Sequence, residues 1–270
     1  MPELPEVEVI KTIIKNKIKN NIINYAIIRT NKLRYNIPSE IFTLYNQKII
    51  NVKRRGRYLI LILLNNAIII HLGMSGSLTI IKKNILPTKH DYIDLIINNK
   101  FVLRYNDPRK FGFWLWESLQ YKTNIFLSKL GLEPLHVEFN NLYMYNIIQT
   151  KKIPIKVLLM ENNIITGVGN IYANESLFLS KILPFRVAKD LSFIEITNLV
   201  KNIKYILTQS IIYGGTTINN YKQPNNILGN FTQYLHVYNK ANQPCYICNT
   251  MIIKIYQRNR SSFYCPNCQK

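Results

Sequence analysis

The segment CYICNTMIIKIYQRNRSSFYCPNC, residues 245–268, contains all four cysteines of the 270-residue chain. They form two Cys-x-x-Cys pairs, Cys245 with Cys248 and Cys265 with Cys268, and sixteen residues separate the pairs. This spacing is typical of a four-cysteine zinc ribbon. Two disulfides are the alternative, but the opening MPELPEVE is unlike a secretion signal, so we expect a reducing compartment. The sequence therefore predicts one structural Zn²⁺ held by the four thiolates.

The residues between the two cysteine pairs predict a β-hairpin. Apolar residues at 252, 253 and 255 and at 263–264 are typical of two short strands, and the basic segment 257–262 predicts the turn between them. We expect the hairpin to carry Arg258 and Arg260 at its tip. Exposed arginines on a turn are often merely solvated, but a metal-fixed hairpin favours arginines that contact a phosphate.

The periodicity of the rest of the chain changes from helix to strand and back. Residues 5–19 have a helical apolar face, and helical spacing returns at about residue 139, most clearly over Ser192–Tyr213. Between them lie short β-like runs separated by Asn, Gly and Pro, as in a sandwich or barrel. These runs are 22–28, 58–64, 68–72, 77–81, 92–97 and 101–105. The pattern predicts an α+β multidomain protein with a linker near residues 131–136.

The chain is strongly basic, with 35 Lys and Arg against 14 Asp and Glu and a net charge of +21. Clustered positive charge favours a polyanionic partner, because binding releases counterions from phosphates. The abundance of Ile, Asn, Lys and Tyr offers a second explanation, since A/T-rich codons specify these amino acids. The longest apolar run, Tyr58–Leu64, is far shorter than the roughly 20 residues of a membrane helix. We therefore expect a nucleic-acid partner and no membrane.

Motifs along the whole chain resemble the formamidopyrimidine-DNA glycosylases, which are bacterial base-excision repair enzymes. They occur in collinear order: MPELPEVE (1–8), HLGMSGSL (71–78), KHDYIDL (89–95), RYNDPRKFG (104–112), LGLEPL (130–135), TGVGNIYANE (166–175), GGTT (214–217) and RSSFYCPNCQK (260–270). The resemblance implies an N-terminal catalytic β-sandwich domain with an N-terminal helix (1–130), a helix–two-turns–helix domain (131–235) and a zinc finger (236–270). It also implies excision of 8-oxoguanine and formamidopyrimidines from duplex DNA, followed by cleavage of the strand.

The resemblance assigns the chemistry to Pro2, Glu3 and Arg260. Once Met1 is removed, Pro2 has a free amine whose reference pKa of about 7.7–8.0 leaves part of it unprotonated. Such an amine can attack the sugar C1′ and form a Schiff base. Glu3 is expected to act as the acid that protonates the opening sugar. Arg260 is expected to grip phosphates beside the lesion and to support δ-elimination.

One position departs from the family pattern. Where the family carries a lysine linked to β-elimination, this chain has Arg57. The charge is kept, but a guanidinium does not give up its proton near neutral pH. We therefore interpret Arg57 as a phosphate contact and expect slower strand scission.

The resemblance also implies DNA contacts. Met74, Arg109 and Phe111 are expected to fill the gap left by the flipped nucleotide, with Arg109 reading the orphaned base. Five further residues are expected to hold backbone phosphates: His90, Lys151, Lys152, Lys156 and Asn170. Residues 216–230 resemble the family loop that covers the extruded lesion.

Three functional hypotheses follow. The first is a bifunctional glycosylase and AP lyase for oxidised purines, acting as a monomer on damaged double-stranded DNA in the bacterial cytoplasm, at the nucleoid. The second keeps the chemistry but takes oxidised pyrimidines, as in the related endonuclease VIII group. The third is a DNA-binding zinc protein whose catalysis has decayed. Leu4 and the three gap-filling residues favour the first over the second, and intact Pro2, Glu3 and Arg260 argue against the third.

Overall fold

A computed structural model of the protein describes residues 1–216 and 229–270. These residues form two compact units. The first consists of Met1–Ser128 with the described residues of Gly214–Asn230, and the second of Lys129–Tyr213 with Phe231–Lys270. The second unit includes both the helical segment and the zinc-ribbon residues. The predicted boundaries of three domains, at 130/131 and 235/236, stay a prediction.

The first unit begins with helix α1, Leu4–Ile18, one residue earlier at each end than the predicted 5–19. Pro5 suits the first turn because the amide hydrogen that proline lacks would have no partner inside the helix. The helix buries Val7, Ile10, Ile14 and Ile18 on one side, at the spacing of an amphipathic helix.

Eight antiparallel strands follow in the order β5-β7-β6-β1-β2-β3-β4-β8. The strands are β1 (Ile22–Ile28), β2 (Tyr45–Arg55), β3 (Tyr58–Leu63), β4 (Asn66–His71), β5 (Ser77–Lys82), β6 (Asp91–Ile97), β7 (Phe101–Asn106) and β8 (Phe113–Ser118). All six predicted strands are confirmed to within two residues at each end. Strands β2 and β8 were not predicted. In β2 the alternation of Lys, Asn and Arg with few apolar residues hides an 11-residue strand.

The two halves of this ladder share one core, as expected of a β-sandwich. Tyr105 on β7 and Trp114 on β8, from opposite ends of the strand order, pack edge to face with ring centroids 5.6 Å apart. Leu78 on β5 and Ile70 on β4 lie in the same buried cluster as the apolar side of α1. The predicted N-terminal β-sandwich with a helix is confirmed.

The unit also contains two single-turn helices, α2 (Ser39–Phe42) and α3 (Ile125–Ser128). The second unit contains α4 (Asn141–Ile148), α5 (Ile155–Leu159), α6 (Asn170–Leu179) and α7 (Phe193–Ile212). Helix α7 matches the predicted helical stretch, and its buried side faces α4 and α6. Ser192 caps it: the hydroxyl accepts from the Glu195 amide, and the Glu195 carboxylate accepts from the Ser192 amide.

The C-terminal hairpin consists of β9 (Ile253–Gln257) and β10 (Arg260–Tyr264). Its turn has only two residues, Arg258 and Asn259, both with positive φ as a tight hairpin turn requires. The predicted turn of residues 257–262 was therefore too long. Arg260 lies on β10, paired with Gln257, rather than at the tip.

Within the described ranges, no helix is long and apolar enough to cross a membrane. Most of the segment 216–230, expected to cover the lesion, falls in 217–228 and so lies outside the described residues.

The cap of α7 can be tested by comparing Ser192→Ala with Ser192→Gly. The alanine variant should lower the free energy of unfolding by about 1 kcal/mol, because the Glu195 amide loses its acceptor. The glycine variant should cost only a few tenths of a kcal/mol, since glycine leaves the helix end accessible to water. Urea unfolding followed by circular dichroism measures both. No loss of stability in the alanine variant would show that the hydroxyl is not the stabilising group.

Candidate functional site

The N-terminus of the first unit places Pro2 and Glu3 at the start of α1. Both are buried, and Glu3 is the residue that caps the helix. Glu3 and Glu6 form a reciprocal capping box, in which the Glu3 amide donates to Glu6 Oε2 over 2.8 Å. The box holds the backbone of the predicted catalytic pair in one conformation.

Glu6 also reaches a segment distant in sequence. Its Oε1 accepts from the amide and from the hydroxyl of Thr216, both over 2.9 Å. The turn at 214–216 is therefore fixed to the end of α1, immediately before the predicted lesion-covering loop. The sequence analysis missed Glu6, although the Glu3/Glu6 spacing of a capping box was visible in MPELPEVE.

Arg57 lies beside the N-terminus, as a phosphate contact near Pro2 would require. It follows Gly56 in the turn between β2 and β3, and its Nη1 is 3.8 Å from the sulfur of Met1. While Met1 is attached, the Pro2 nitrogen is a tertiary amide, so it becomes a nucleophile only if Met1 is removed.

Two neighbouring loops carry the predicted gap-filling side chains. Met74 is 47% exposed and Phe111 is 42% exposed, so both apolar side chains are available at the surface. The Arg109 guanidinium lies 4.5 Å from the Phe111 ring centroid, within cation–π distance. The structure thus brings the three residues together on the surface of the first unit.

The loops touch at Gly73, where φ is +63° and a Cβ would lie 2.4 Å from the Phe111 carbonyl carbon. Any side chain at this position would push them apart.

His71 supports the same region from the end of β4. Its Nδ1 accepts from the Gly73 amide over 3.1 Å, and its ring stacks on Phe113 at 5.1 Å. Burial, reinforced by the positive charges of Arg57 and Arg34, lowers the pKa of His71 to about 4. The ring is therefore neutral at pH 7 and remains an acceptor.

His90, the remaining predicted contact in this unit, is half-buried. Its Nδ1 lies 3.3 Å from the Tyr92 hydroxyl, and its carbonyl accepts from the Asp107 amide.

In the second unit the predicted phosphate contacts have different exposures. Lys152 is exposed, and Lys151 and Asn170 are half-buried. Asn170 is the first residue of α6, after the Gly-Val-Gly turn, where backbone amides point outward and favour an anion. Its side-chain oxygen is buried and has no hydrogen-bond partner among the described residues.

Lys156 differs from the expectation. Its side chain is fully buried, and Nζ donates to the Ser261 carbonyl and the Ser262 hydroxyl, each over 2.7 Å. An ammonium held this way is not on the surface, so Lys156 braces β10 in this structure rather than offering a free charge to a phosphate. Sequence alone does not distinguish a buried lysine from its exposed neighbours at 151 and 152.

Arg260 is exposed at the start of the strand that Lys156 holds. Arg258, in the turn, is 63% exposed and lies 3.6 Å from the Glu161 carboxylate. The hairpin therefore presents two guanidinium groups from a braced support.

The four cysteine sulfurs all lie within 4.8 Å of one another. Three sulfur–sulfur distances are 3.4, 3.4 and 3.9 Å, well beyond the roughly 2.05 Å of a disulfide. A tetrahedron with zinc–sulfur bonds of about 2.3 Å has edges of about 3.8 Å. The residues can thus hold a metal ion, and the alternative of two disulfides is wrong for this structure.

Comparisons with known proteins agree with this geometry. Residues 1–114 match the model of the formamidopyrimidine-DNA glycosylase N-terminal domain, and residues 130–222 match that of its H2TH domain. The formamidopyrimidine-DNA glycosylase of an Escherichia coli O6 strain is 45% identical over all 270 residues and over its own full length. That of Proteus mirabilis is 47% identical over this whole chain and 98% of its own.

The chain belongs to the formamidopyrimidine-DNA glycosylase (Fpg) family. Among solved structures, a Lactococcus lactis Fpg mutant in complex with DNA containing Fapy-dG superposes with a TM-score of 0.93, 30% identity and full coverage of both chains. Fpg from Thermus thermophilus gives a TM-score of 0.87 and 28% identity, covering 99% of this chain and 98% of its own. The predicted helix–two-turns–helix domain is thereby confirmed.

Sequence reasoning missed three buried acidic residues of this Fpg-family protein besides Glu3. Glu6, Asp107 and Glu175 each accept several hydrogen bonds from loops near predicted site residues. Each lies inside a quoted motif, but a carboxylate in a motif does not reveal by itself which donors it meets.

The low pKa of His71 has a consequence for stability. The His71 ring takes up a proton near pH 6.5 in the unfolded chain but near pH 4 in the folded one. The neutral ring therefore contributes its full stabilisation of the fold above pH 6.5, and this stabilisation is lost as pH falls toward 4. We expect a loss of about 2 kcal/mol between pH 7.5 and pH 5 from this residue. Urea unfolding at both pH values measures it.

His71→Asn is the matched control, because asparagine can accept from the Gly73 amide but does not titrate. The variant should lose less stability over the same pH interval than the parent. An NMR titration midpoint of the His71 ring near 6.5 would contradict the argument.

Proposed function

We propose that this protein removes oxidised purines from duplex DNA and then cleaves the strand by β- and δ-elimination. The observation that carries the proposal is the buried Pro2-Glu3 pair at the capped start of α1, with Arg57 beside Met1. The names of its relatives support the substrate class, as does the Lactococcus lactis complex with Fapy-dG DNA. A second Lactococcus lactis complex, with abasic-site DNA, supports the lyase step.

The reaction begins with the free amine of Pro2. Its lone pair attacks C1′ of the damaged nucleotide, the bond from C1′ to the base breaks, and the base leaves with a proton. Glu3 protonates the sugar oxygen O4′ as the C1′–O4′ bond breaks, and the nitrogen lone pair then forms the C1′=N⁺ double bond of the Schiff base. The iminium acidifies the C2′ proton, whose removal expels the 3′ phosphate, and a second elimination expels the 5′ phosphate.

The DNA-binding residues divide by task. Met74, Arg109 and Phe111 fill the space vacated by the flipped nucleotide, and Arg109 offers its donors to the base left behind. The phosphates are held by His90, Lys151, Lys152 and Asn170, with Arg57, Arg258 and Arg260 adding guanidinium contacts. In place of the phosphate contact expected of Lys156, we propose that it positions Arg260 through the two serines of β10.

We further propose that the four cysteines hold Zn²⁺. Thiolate ligands and a closed tetrahedral set are typical of structural zinc, which would fix the hairpin without taking part in the reaction. The protein would act as a monomer in the bacterial cytoplasm, on damaged double-stranded DNA at the nucleoid.

Oxidised pyrimidines are the second candidate substrate. A solved complex of the Lactococcus lactis enzyme contains DNA with an oxidised pyrimidine, so the family scaffold accepts at least one such base. Pro2 would be the nucleophile for oxidised purines and for oxidised pyrimidines alike, so the two hypotheses differ only in the damaged base that is excised.

Borohydride trapping tests the nucleophile and the substrate together. Purified protein lacking Met1 and containing zinc is mixed with a duplex carrying 8-oxoguanine opposite cytosine, and in parallel with a thymine-glycol duplex and an undamaged one. We expect a covalent adduct that maps to Pro2, mainly on the first duplex. An adduct mainly on thymine glycol would move the substrate to oxidised pyrimidines, and no adduct on either would indicate a DNA-binding protein without catalysis.

Arg57→Lys tests the departure from the family pattern. A lysine ammonium can exchange its proton near neutral pH, so β-elimination at an abasic site should become faster, by about tenfold or more. Excision of 8-oxoguanine should change little, since the positive charge is kept. Single-turnover kinetics on the two substrates separate the steps.

Arg55→Lys is the matched control, because it makes the same replacement two residues away. Unchanged scission by Arg57→Lys, or an equal rise in both variants, would show that Arg57 does not limit elimination.

A further inference from the structure

Asp107 is a fully buried carboxylate at the start of one of the two loops that carry the exposed side chains Met74, Arg109 and Phe111. We call residues 72–76 the Met74 loop and residues 107–112 the Phe111 loop. Neither the proposed chemistry nor the proposed DNA contacts use Asp107. A buried carboxylate is costly unless its oxygens are satisfied, so its partners indicate what it does.

The two oxygens of Asp107 bind different loops. Oδ1 accepts from the Ser75 hydroxyl over 2.6 Å, in the Met74 loop. Oδ2 accepts from the Gly112 amide over 2.8 Å, at the end of the Phe111 loop. One side chain thus joins the two loops, and both bonds are charge-assisted and therefore stronger than bonds between neutral groups.

Ser75 extends this link to Arg109. A serine hydroxyl has one hydrogen and two lone pairs. Because that hydrogen points at Asp107, the oxygen is available as an acceptor, and it accepts from the Arg109 amide over 3.2 Å. The backbone of Arg109 is therefore oriented by Asp107 through Ser75.

Tyr105 completes the shell around the carboxylate. Its hydroxyl donates to Asp107 Oδ2 over 3.0 Å, and burial together with the charge of Asp107 raises its pKa, so it remains a donor. The Asp107 amide donates to the His90 carbonyl, and the Lys110 amide donates to the Asp107 carbonyl. Every polar atom of Asp107 thus has a partner.

We propose that Asp107 and Ser75 are positioning residues that couple the Met74 loop to the Phe111 loop, so that the gap-filling side chains and the base-reading Arg109 enter DNA as one preformed unit. This inference rests on the proposed roles of Met74, Arg109 and Phe111. If the two loops are already coupled, they need not be ordered separately when the nucleotide flips. It also sets the angle from which Arg109 meets the orphaned base, where a donor fork discriminates only if it is correctly oriented.

Ser75→Ala tests the coupling, because it removes the bridging hydroxyl and leaves Asp107 and Gly112 intact. Excision of 8-oxoguanine is measured under single turnover opposite cytosine and opposite adenine. We expect the ratio of the two rates to fall by about tenfold, the equivalent of one charge-assisted hydrogen bond. Cleavage of an abasic site in single-stranded DNA, which has no opposite base and no gap to fill, should be unchanged.

Tyr105→Phe is the matched control, since it removes a donor to the same carboxylate without removing a hydrogen bond between the two loops. It should leave the ratio unchanged, and Ser75→Thr, which keeps a hydroxyl, should restore it. Equal losses on duplex and single-stranded substrates, or the same ratio in Ser75→Ala as in the parent, would overturn the proposal.

Amide hydrogen exchange gives an answer that does not depend on activity. In Ser75→Ala without DNA, the Arg109 amide should exchange faster while the Gly112 amide stays protected. Unchanged protection of Arg109 would refute the coupling. Failure of the parent protein to excise 8-oxoguanine would instead refute the proposed function, and the exchange result would still decide whether the loops are coupled.

Discussion

Buried carboxylates that accept hydrogen bonds from loop backbones organise each part of the candidate site. Glu6 accepts from Glu3 and Thr216, and Glu175 accepts from the consecutive amides of His236, Val237 and Tyr238. Asp107 does the same between the loops of Met74 and Phe111. A loop on its own leaves its backbone groups to water, whereas a buried acceptor that receives two or three donors fixes the chain in one conformation. Many of the candidate site residues are therefore on loops whose backbones are fixed by buried carboxylates.

Much of the architecture could be predicted from the sequence because its signals are local. Cysteine spacing gave the metal-ligand cluster, period-3.6 patterning gave α1 and α7, and apolar runs gave eight of the ten strands, all but β2 and β8. The strand β2 was missed because one face of it is polar and carries Lys and Arg, which is the pattern of an exposed loop as well. The hairpin turn was predicted too long because Ser261 and Ser262, weak strand formers, are held in β10 partly by Lys156.

The candidate site was less predictable than the fold because the contacts that build it are not local in sequence. Family motifs indicated which side chains are expected to contact DNA, but a hydrogen bond between residues far apart in sequence leaves no periodic signal. Thr216 donates a hydrogen bond to Glu6, 210 positions away in the sequence, and Lys156 donates one to Ser262, 106 positions away. Lysine is the instructive case, since Lys152 and Lys156 lie four residues apart, yet one is exposed and the other fully buried.

The same bonds explain how the chain can be so basic and still fold. Six of its 14 acidic residues are buried: Glu3, Glu6, Asp91, Asp94, Asp107 and Glu175. Losing any of the acceptors would leave several buried donors unsatisfied, which costs more than the loss of a surface charge. Several cations are engaged internally too, including Arg104 with Asp94 and Arg54 with Glu8. The fold therefore keeps much of its negative charge inside, where it binds loop amides, and few acidic groups remain on the surface to repel a phosphate backbone. Among the exposed cations, only those that face DNA would contribute to the salt dependence of binding.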